Sequence, residues 1–488
     1  MSTQPPNPRE IAADLALGAL TKHGSTITSL AGAYKEAGFT LALVGGPVRD
    51  AILGRLGSDL DFTTDARPEI SLKILKRWGD ALWDTGAAFG TIASKKGEVM
   101  IEVTTYRRES YDPQSRKPIV AFGDSIAEDL SRRDFTINAM ALELTGDAPV
   151  FIDLFDGAGD LAKKLLRTPA SARSSFSDDP LRMMRAARFV AQLNFEVDPE
   201  ILSAISDMSD RLSIISAERI RDELIKTLMS PNPRLGLQLL VDTGLAKHFL
   251  PELPKLKLEI DEHHHHKDVY EHSLTVLDQA IAHEGLLGGP NLTIRLAALL
   301  HDIGKPRTRE LIPGGGVSFH HHEVVGAKMS KKRLKELRFD SKTVDEVSSL
   351  VFLHLRFHGY GSGEWTDSAV RRYIRDAGDL LSYLHVLTRA DCTTRNKRKA
   401  EQLSQTYDSL ESRIQELKAQ EELDRIRPDL NGEEIMEILG IKPSRIVGQA
   451  YDYLLELRME RGPLGKHSAT QELLAWASEK ELGRSEQK

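Results

Sequence analysis

Apolar positions along this chain change their spacing near residue 160, and the change separates two kinds of architecture. Before that point the runs are short. Leu41-Ala42-Leu43-Val44 is an apolar run ended by Gly45-Gly46, which reads as a buried strand and its turn. Ser58–Thr63 and Glu98–Thr104 alternate apolar and polar residues with the period of a strand. From about Ser174 onward the period is helical: Leu181–Arg188, Leu224–Leu228, Val269–Ala280 and Leu292–Leu300 each carry an apolar stripe. Pro231, Pro233, Pro251 and Pro254 punctuate this helical part and mark boundaries. Ser409–Arg425 reads as a charged helix, Glu479–Lys488 as a frayed tail, and the Pro-rich start as disordered up to about Arg9. The pattern predicts an α/β head followed by all-α regions.

Composition narrows the class. At 488 residues the chain has room for about three domains. With 40% hydrophobic and 28% charged residues it reads as an ordinary globular protein, expected to have no membrane segment and no secretory leader. Cys392 is the only cysteine, so an internal disulfide framework is excluded and a reducing cytoplasm is expected. A net charge of −7 gives no global sign of nucleic-acid binding, but local basic stripes decide that question.

The chemistry begins at Val44-Gly45-Gly46-Pro47-Val48-Arg49-Asp50. Two glycines let a backbone approach a phosphate, Pro47 suits a first helical turn, and a helix start favours anions. Asp59-Leu60-Asp61 follows, with both carboxylates on one strand face and Leu60 and Phe62 on the other. Adjacent carboxylates repel unless a cation sits between them, and Mg²⁺ with a nucleotide triphosphate suits that place. An isolated pair of this kind would be a solvated turn; behind the glycine turn it is not. In Ile101-Glu102-Val103, Glu102 lies opposite the apolar face and offers a third carboxylate from a neighbouring strand, although a salt bridge would explain it equally.

Together these residues resemble the head domain of bacterial CCA-adding tRNA nucleotidyltransferases and poly(A) polymerases, in the polymerase-beta-like superfamily. Arg132-Arg133-Asp134-Phe135-Thr136-Ile137-Asn138-Ala139 is similar to that family's ribose-contacting motif. Asp153-Leu154-Phe155-Asp156-Gly157 with Asp160-Leu161 is similar to its hinge between head and neck. Asp178-Asp179-Pro180-Leu181-Arg182 resembles its base-selecting motif, with Asp178 where the family usually has Glu. The polar segment Glu109–Asp124 resembles the loop the family needs to switch from C to A addition. The resemblance implies catalytic Asp59, Asp61 and Glu102 with Mg²⁺ on the two aspartates, and tRNA, CTP and ATP as substrates. It also implies nucleotide contacts from Gly45, Gly46, Arg49, Arg133, Asp134 and Asn138.

The base-selecting motif has a chemical logic. Asp179-Pro180 reads as a helix cap and first residue, which would put Asp179 and Arg182 on one face. Aspartate accepts hydrogen bonds and arginine donates them. Cytosine and adenine each offer an amino donor beside a ring-nitrogen acceptor; uracil and guanine reverse the order. One Asp–Arg pair therefore suits C and A. Arg185 and Arg188 extend the stripe and are expected at triphosphate oxygens, with Arg211, Arg219, Arg221, Lys226 and Arg395–Lys399 expected to grip RNA.

A second constellation lies downstream. His301-Asp302 ends an apolar helix, His272 lies on the preceding one, and Asp391 sits in Arg389-Ala390-Asp391. Histidine with carboxylate suits a divalent transition metal. In this order the four residues resemble an HD phosphohydrolase domain, and His322, chosen from His320-His321-His322, with His354 leaves room for a second metal. His263–His266 has no assigned role.

The expected organisation is an N-terminal extension (1–30), a nucleotidyltransferase head (31–165), a helical neck and RNA-binding region (166–255), an HD domain (256–400) and a helical C-terminal region (401–488). The expected activity is template-free addition of C, C and A to a tRNA 3′ end. The alternatives are poly(A) or A-only addition and, more distantly, HD hydrolysis of RNA-end phosphates.

Overall fold

The structure is a computed structural model, described over residues 7–110, 119–123, 125–257, 268–311, 313, 317–356, 366–392, 397–421 and 427–480. No helix among them is long and apolar enough to cross a membrane. Contacts divide the chain into two compact units, Met1–Pro254 and Lys255–Lys488.

The first unit opens with α1 (Pro8–Ala19) and α2 (Gly24–Glu36). Asn7 caps α1 by accepting from the Arg9 amide, so the helix starts just before Arg9, about where a disordered start was expected to end. These helices pack against the head. Ala16, Ile27, Leu30 and Tyr34 are buried, and Trp78 Nε1 donates to Ser29 Oγ at 2.8 Å. Residues 7–30 thus belong to the packing of the head.

The head is built on a seven-stranded sheet. In chain order its parts are β1 (Ala42–Val44), α3 (Gly46–Ile52), β2 (Asp59–Thr64), α4 (Pro68–Trp78), β3 (Ala81–Trp83), β4 (Thr91–Lys96) and β5 (Val99–Thr105). A separate antiparallel hairpin follows, β6 (Arg107–Ser110) with β7 (Ile119–Phe122). It takes up part of the Glu109–Asp124 segment, of which 111–118 and Asp124 lie outside the described residues. After α5 (Ile126–Ser131), β8 (Met140–Glu143) and β9 (Val150–Asp153) complete the sheet in the order β3-β4-β5-β2-β1-β8-β9. β1 is short and wholly buried because strands flank both its edges. β2 and β5 pair in parallel, and their apolar residues Leu60, Phe62, Ile101 and Val103 are all at most 1% exposed. Helix α4 packs across β3, β4 and β5.

The neck follows α6 (Gly157–Lys163) and consists of α7 (Ala172–Asp178), α8 (Leu181–Leu193), α9 (Pro199–Met208), α10 (Ala217–Leu228) and α11 (Pro233–Asp242). Helix α8 is its spine. Met183 and Met184 are fully buried, each stabilising the unit by about 1.5–3 kcal/mol. Gly236 lets α11 lie close against α8, since a Cβ there would fall 2.7 Å from the Ala187 carbonyl oxygen.

The second unit contains α12 (Val269–His283), α13 (Leu292–Leu300), α14 (His322–Glu336), α15 (Ser341–Leu353), α16 (Asp367–Ala377) and α17 (Leu381–Asp391). The next helix, α18, spans Lys397–Glu421, so the charged helix begins twelve residues before the expected Ser409. Its buried Tyr407, Leu410, Ile414 and Leu417 give it an apolar stripe that the surrounding charges obscure in the sequence. The chain ends in α19 (Gly432–Leu439), α20 (Arg445–Arg461) and α21 (Gly465–Glu479), packed around Leu454, Leu473 and Trp476. His263–His266 and part of Arg395–Lys399 lie outside the described residues.

Candidate nucleotidyl-transfer site and metal centre

The carboxylates of the head meet through strand register. Asp61 on β2 stands directly opposite Glu102 on β5, and Asp59 opposite Met100. Paired residues share a sheet face, so Asp59, Asp61 and Glu102 project together while their apolar neighbours point into the core. Asp61 has open area, yet protein crowds its carboxyl. That desolvation, then repulsion from Glu102 and Asp59, pushes it up to about 6, against the pull of Arg133. The row is short of positive charge, which is the condition a divalent cation relieves.

A cradle lies on the β1 side of this row. Gly45 turns from β1 into α3 at φ 77°, a conformation that favours glycine. It also gives room to Arg133, whose Nη1 would sit 2.8 Å from a Cβ at that position. Arg49 is buried and held by Asn138 Oδ1 at 2.6 Å and by Asp50 at 2.9 Å. Asp134 accepts from Asn138 Nδ2 at 3.0 Å and from the Arg185 guanidinium. Burial alone would raise the Asp134 carboxyl, but Arg185 and Asn138 outweigh it and hold it well below the carboxylate range.

Two expectations about α8 change. The helix starts at Leu181 with Pro180 as its cap, one residue later than the motif suggested, because Asp179 still closes α7. Asp179 Oδ1 accepts from the Leu181 amide at 3.0 Å, and Oδ2 pairs with Arg219 at 3.1 Å. Arg182 instead donates to Ser175 Oγ at 2.8 Å and to the Arg132 carbonyl. The two side chains are therefore anchored separately. Arg185 and Arg188 are paired with protein carboxylates, Asp134 and Glu223, rather than free. Of the expected RNA-grip residues, Arg211 bonds Ser177, Arg221 pairs with Asp222 and Lys226 lies 3.8 Å from Glu223.

In the second unit, α12, α13, α14, α15 and α17 bring six side chains together. His272 Nε2 lies 2.9 Å from Asp391 Oδ1 and 3.3 Å from His301 Nε2. His322 Nε2 lies 3.3 Å from both Asp302 Oδ1 and His354 Nε2. Asp302 serves both groups, since its other oxygen is 3.3 Å from His301 Nε2. His272, His301 and Asp391 form one set of donor atoms within 4.8 Å of one another, and Asp302, His322 and His354 form another. Of the three consecutive histidines, His322 turns inward, while His321 is exposed and takes a left-handed φ of 59° ahead of α14.

The ring orientations fit metal ligation. Nδ1 of His301, His322 and His354 each faces a backbone carbonyl, of Ala298, Phe319 and Val351, at 2.7–2.8 Å. A proton held there leaves the Nε2 lone pairs pointing into the centre. Burial would lower the His301 ring, but Asp302 and Asp391 push it up to about 10, and both carboxylates lie well below their usual range. His354 falls to about 4 through burial and repulsion from His301. These two groups of donors could hold metal ions.

Comparison with known proteins agrees with this division. Residues 41–167 match the family described as Poly A polymerase head domain, 194–256 the probable RNA and SrmB-binding site of polymerase A, and 269–396 the HD domain. The A-adding tRNA nucleotidyltransferase of Deinococcus radiodurans is 32% identical over 450 residues, which cover 90% of this chain and 96% of that one. The chain belongs to the tRNA nucleotidyltransferase and poly(A) polymerase family. The CCA-adding enzyme of Lactobacillus johnsonii is 44% identical over 213 residues, 43% of this chain, so the chain spans only about half (52%) of that relative. The Bacillus stearothermophilus CCA-adding enzyme in complex with CTP shares the fold at a TM-score of 0.65 and 24% identity, covering 95% of this chain and 99% of that one.

For this member of the tRNA nucleotidyltransferase family, two residues of the head site escape sequence reasoning. Asp129 is fully buried and holds Arg132 at 2.6 Å and Arg133 at 3.2 Å, while accepting from Thr63 Oγ1 at 3.3 Å. Its signal was present, since spacings of three and four on a helix bring an acid to both arginines. Phe189 gathers three guanidiniums over its ring, from Arg188 at 4.6 Å, Arg49 at 5.3 Å and Arg185 at 5.8 Å. Arg49 comes from α3 and the others from α8, so no sequence spacing revealed that cluster.

Proposed function

We propose that the chain adds C, C and A from CTP and ATP to the 3′ end of tRNA without a nucleic-acid template. The observation that carries this reading is the Asp59, Asp61 and Glu102 row beside a cradle of Gly45, Gly46, Arg49 and Arg133. In the reaction an RNA 3′-oxygen bonds the α-phosphorus of the nucleotide, the bond to pyrophosphate breaks, and the hydroxyl proton passes to solvent water. Asp59 and Asp61 would hold Mg²⁺, which when bound supplies charge neutralisation at the phosphates and activates the hydroxyl. Glu102 adds negative charge that favours the ion's retention. Arg49 and Arg133 orient the triphosphate, with Arg185 and Arg188 adding positive potential around Phe189. Asp134 and Asn138 suit ribose hydroxyls. Asp179 would accept from the amino group of C or A and Arg182 would donate to the ring nitrogen once a base displaces their contacts with Arg219 and Ser175. A tRNA substrate and a lone Cys392 suit the cytoplasm.

A-only addition is the second reading, favoured by the relative that aligns over nearly the whole chain. One assay separates the two. A tRNA lacking CCA and a tRNA ending in CC are each incubated with CTP, with ATP, and with both. CCA addition requires CTP to extend the first substrate by two residues before ATP is used. Extension of only the CC-ended tRNA, with CTP ignored, would replace it with the A-only reading. No extension of any RNA would overturn both.

The second unit adds a metal-dependent phosphohydrolase activity to this proposal. His272, His301, Asp302 and Asp391 would hold one divalent ion, with His322 and His354 available to a second. A metal bound there supplies an activated water for attack on a phosphate ester. Loss of hydrolysis of phosphate monoesters and cyclic phosphates in His301→Ala tests it.

A further inference from the structure

The head sheet has an open face beyond its carboxylates. Register sets Trp83 opposite Ala93, Ala93 opposite Glu102, and Glu102 opposite Asp61. Paired residues point to one side, so these four side chains form a lateral row across β3, β4, β5 and β2. A second row, Ala81–Lys95–Met100–Asp59, runs beside it. The opposite face is closed, with Ile92, Ile101 and Phe62 at most 1% exposed. On this face Ala93, Lys95 and Met100 are half-buried, and Trp83, on the edge strand, is 43% exposed.

Sheet order divides the approaches to the acids. On one side of β2, β1 leads into Gly45 and Arg49, and β8 follows Arg133, Asp134 and Asn138. That side carries the residues proposed above to hold the nucleotide. On the other side, β5, β4 and β3 contribute Glu102 to the acid row, beside the half-buried Ala93, Lys95 and Met100 and the exposed Trp83. A triphosphate entering from β1 leaves the β5–β3 side for the strand that carries the 3′-hydroxyl.

The geometry points to this open face as the landing surface for the RNA 3′ end, with Trp83 stacking on a base and Lys95 meeting a phosphate. The inference rests on the nucleotidyl-transfer reading above. Three strand spacings put Trp83 about 14 Å from Asp61, so the stacked base lies a few nucleotides back from the reacting end. Stacking needs only a π-face, so the contact tolerates any base there. This suits a substrate class whose members differ in sequence outside their common end.

The test uses the full chain and a tRNA lacking CCA, with RNA affinity read by fluorescence anisotropy and extension by steady-state kinetics. Trp83→Ala should raise the RNA Kd and KM about five- to fiftyfold while leaving the KM for CTP and kcat at saturating RNA unchanged. Trp83→Phe should restore most of the affinity, which a purely structural role for the indole would not predict. Lys95→Ala should weaken RNA binding and reduce its salt dependence by about one ion. That variant keeps the inference testable if Trp83→Ala melts early. Unchanged RNA affinity in both Trp83→Ala and Lys95→Ala, or an equal rise in the nucleotide KM, overturns the landing surface. An absence of nucleotide addition by the native chain overturns the nucleotidyl-transfer reading instead, and the anisotropy arms still report on the surface.

Discussion

The carboxylate row of the head and the histidine–aspartate cluster of the second unit solve the problem of holding charge in opposite ways. Asp59, Asp61 and Glu102 are exposed on one sheet face, and mutual repulsion with crowding lifts Asp61 to about 6. His301, Asp302, His322 and His354 are buried, with all three imidazole rings oriented by backbone carbonyls. A hard cation at the first site would still need oxygens from substrate and water. The second is close to complete from its own side chains, which is how a transition-metal site is retained. The expected difference is that the open site exchanges its ion with each substrate while the closed one keeps it between turnovers.

The largest effect should come from breaking the open site. Asp61→Ala is expected to lower nucleotide addition at least about a thousandfold with tRNA affinity nearly unchanged, measured by single-turnover extension and by anisotropy. Substantial extension by that variant would remove Asp61 from the chemistry. Next in size is the contrast in metal retention. Brief chelation should abolish addition and excess Mg²⁺ should restore it at once, while elemental analysis finds transition metal still bound. His301→Ala with Asp302→Ala should lose that bound metal and all hydrolysis yet keep CCA addition. Equal loss of metal from the native and the double-variant protein would mean the closed site is not built by these residues.

Two smaller effects sharpen the picture of the head. Asp179→Ala should admit UTP, shifting selectivity between CTP and UTP by about one to two orders of magnitude. The Arg219 ion pair at 3.1 Å adds a second consequence, since a released Arg219 adds positive charge beside the base. If incorporation of all four nucleotides falls equally, Asp179 supports the α7–α8 junction and does not read bases. Phe189→Leu keeps apolar volume but removes the ring shared by Arg49, Arg185 and Arg188. The KM for both CTP and ATP should rise severalfold, in line with about 0.5–2 kcal/mol for a cation–π contact, with kcat changing less.

How much of each site was legible depends on how far apart its parts lie in the chain. Asp59 and Asp61 share a face because a strand repeats every two residues, and that is readable from six residues of sequence. His301 and Asp302 are neighbours, so either reading frame keeps them together. His272 and Asp391 came from family resemblance rather than from spacing, and a distance of 2.9 Å between them is a property of the fold. The motif around Asp179 was recognisable, but its local geometry was read one residue early because two helices meet there.

By itself the sequence determined the period of each segment, the glycine turn into α3, the identity of the acids and histidines, and the family. These follow from covalent geometry and side-chain chemistry acting over a few residues. Only the tertiary structure decided that Glu102 stands opposite Asp61, that Asp302 faces two clusters, that Phe189 collects three arginines, and that Trp83 lies in the row of Glu102 and Asp61. Strand order and register are set by which apolar faces can be buried together, a condition on the whole unit. A local pattern states which face a side chain occupies. It cannot state what is brought to face it.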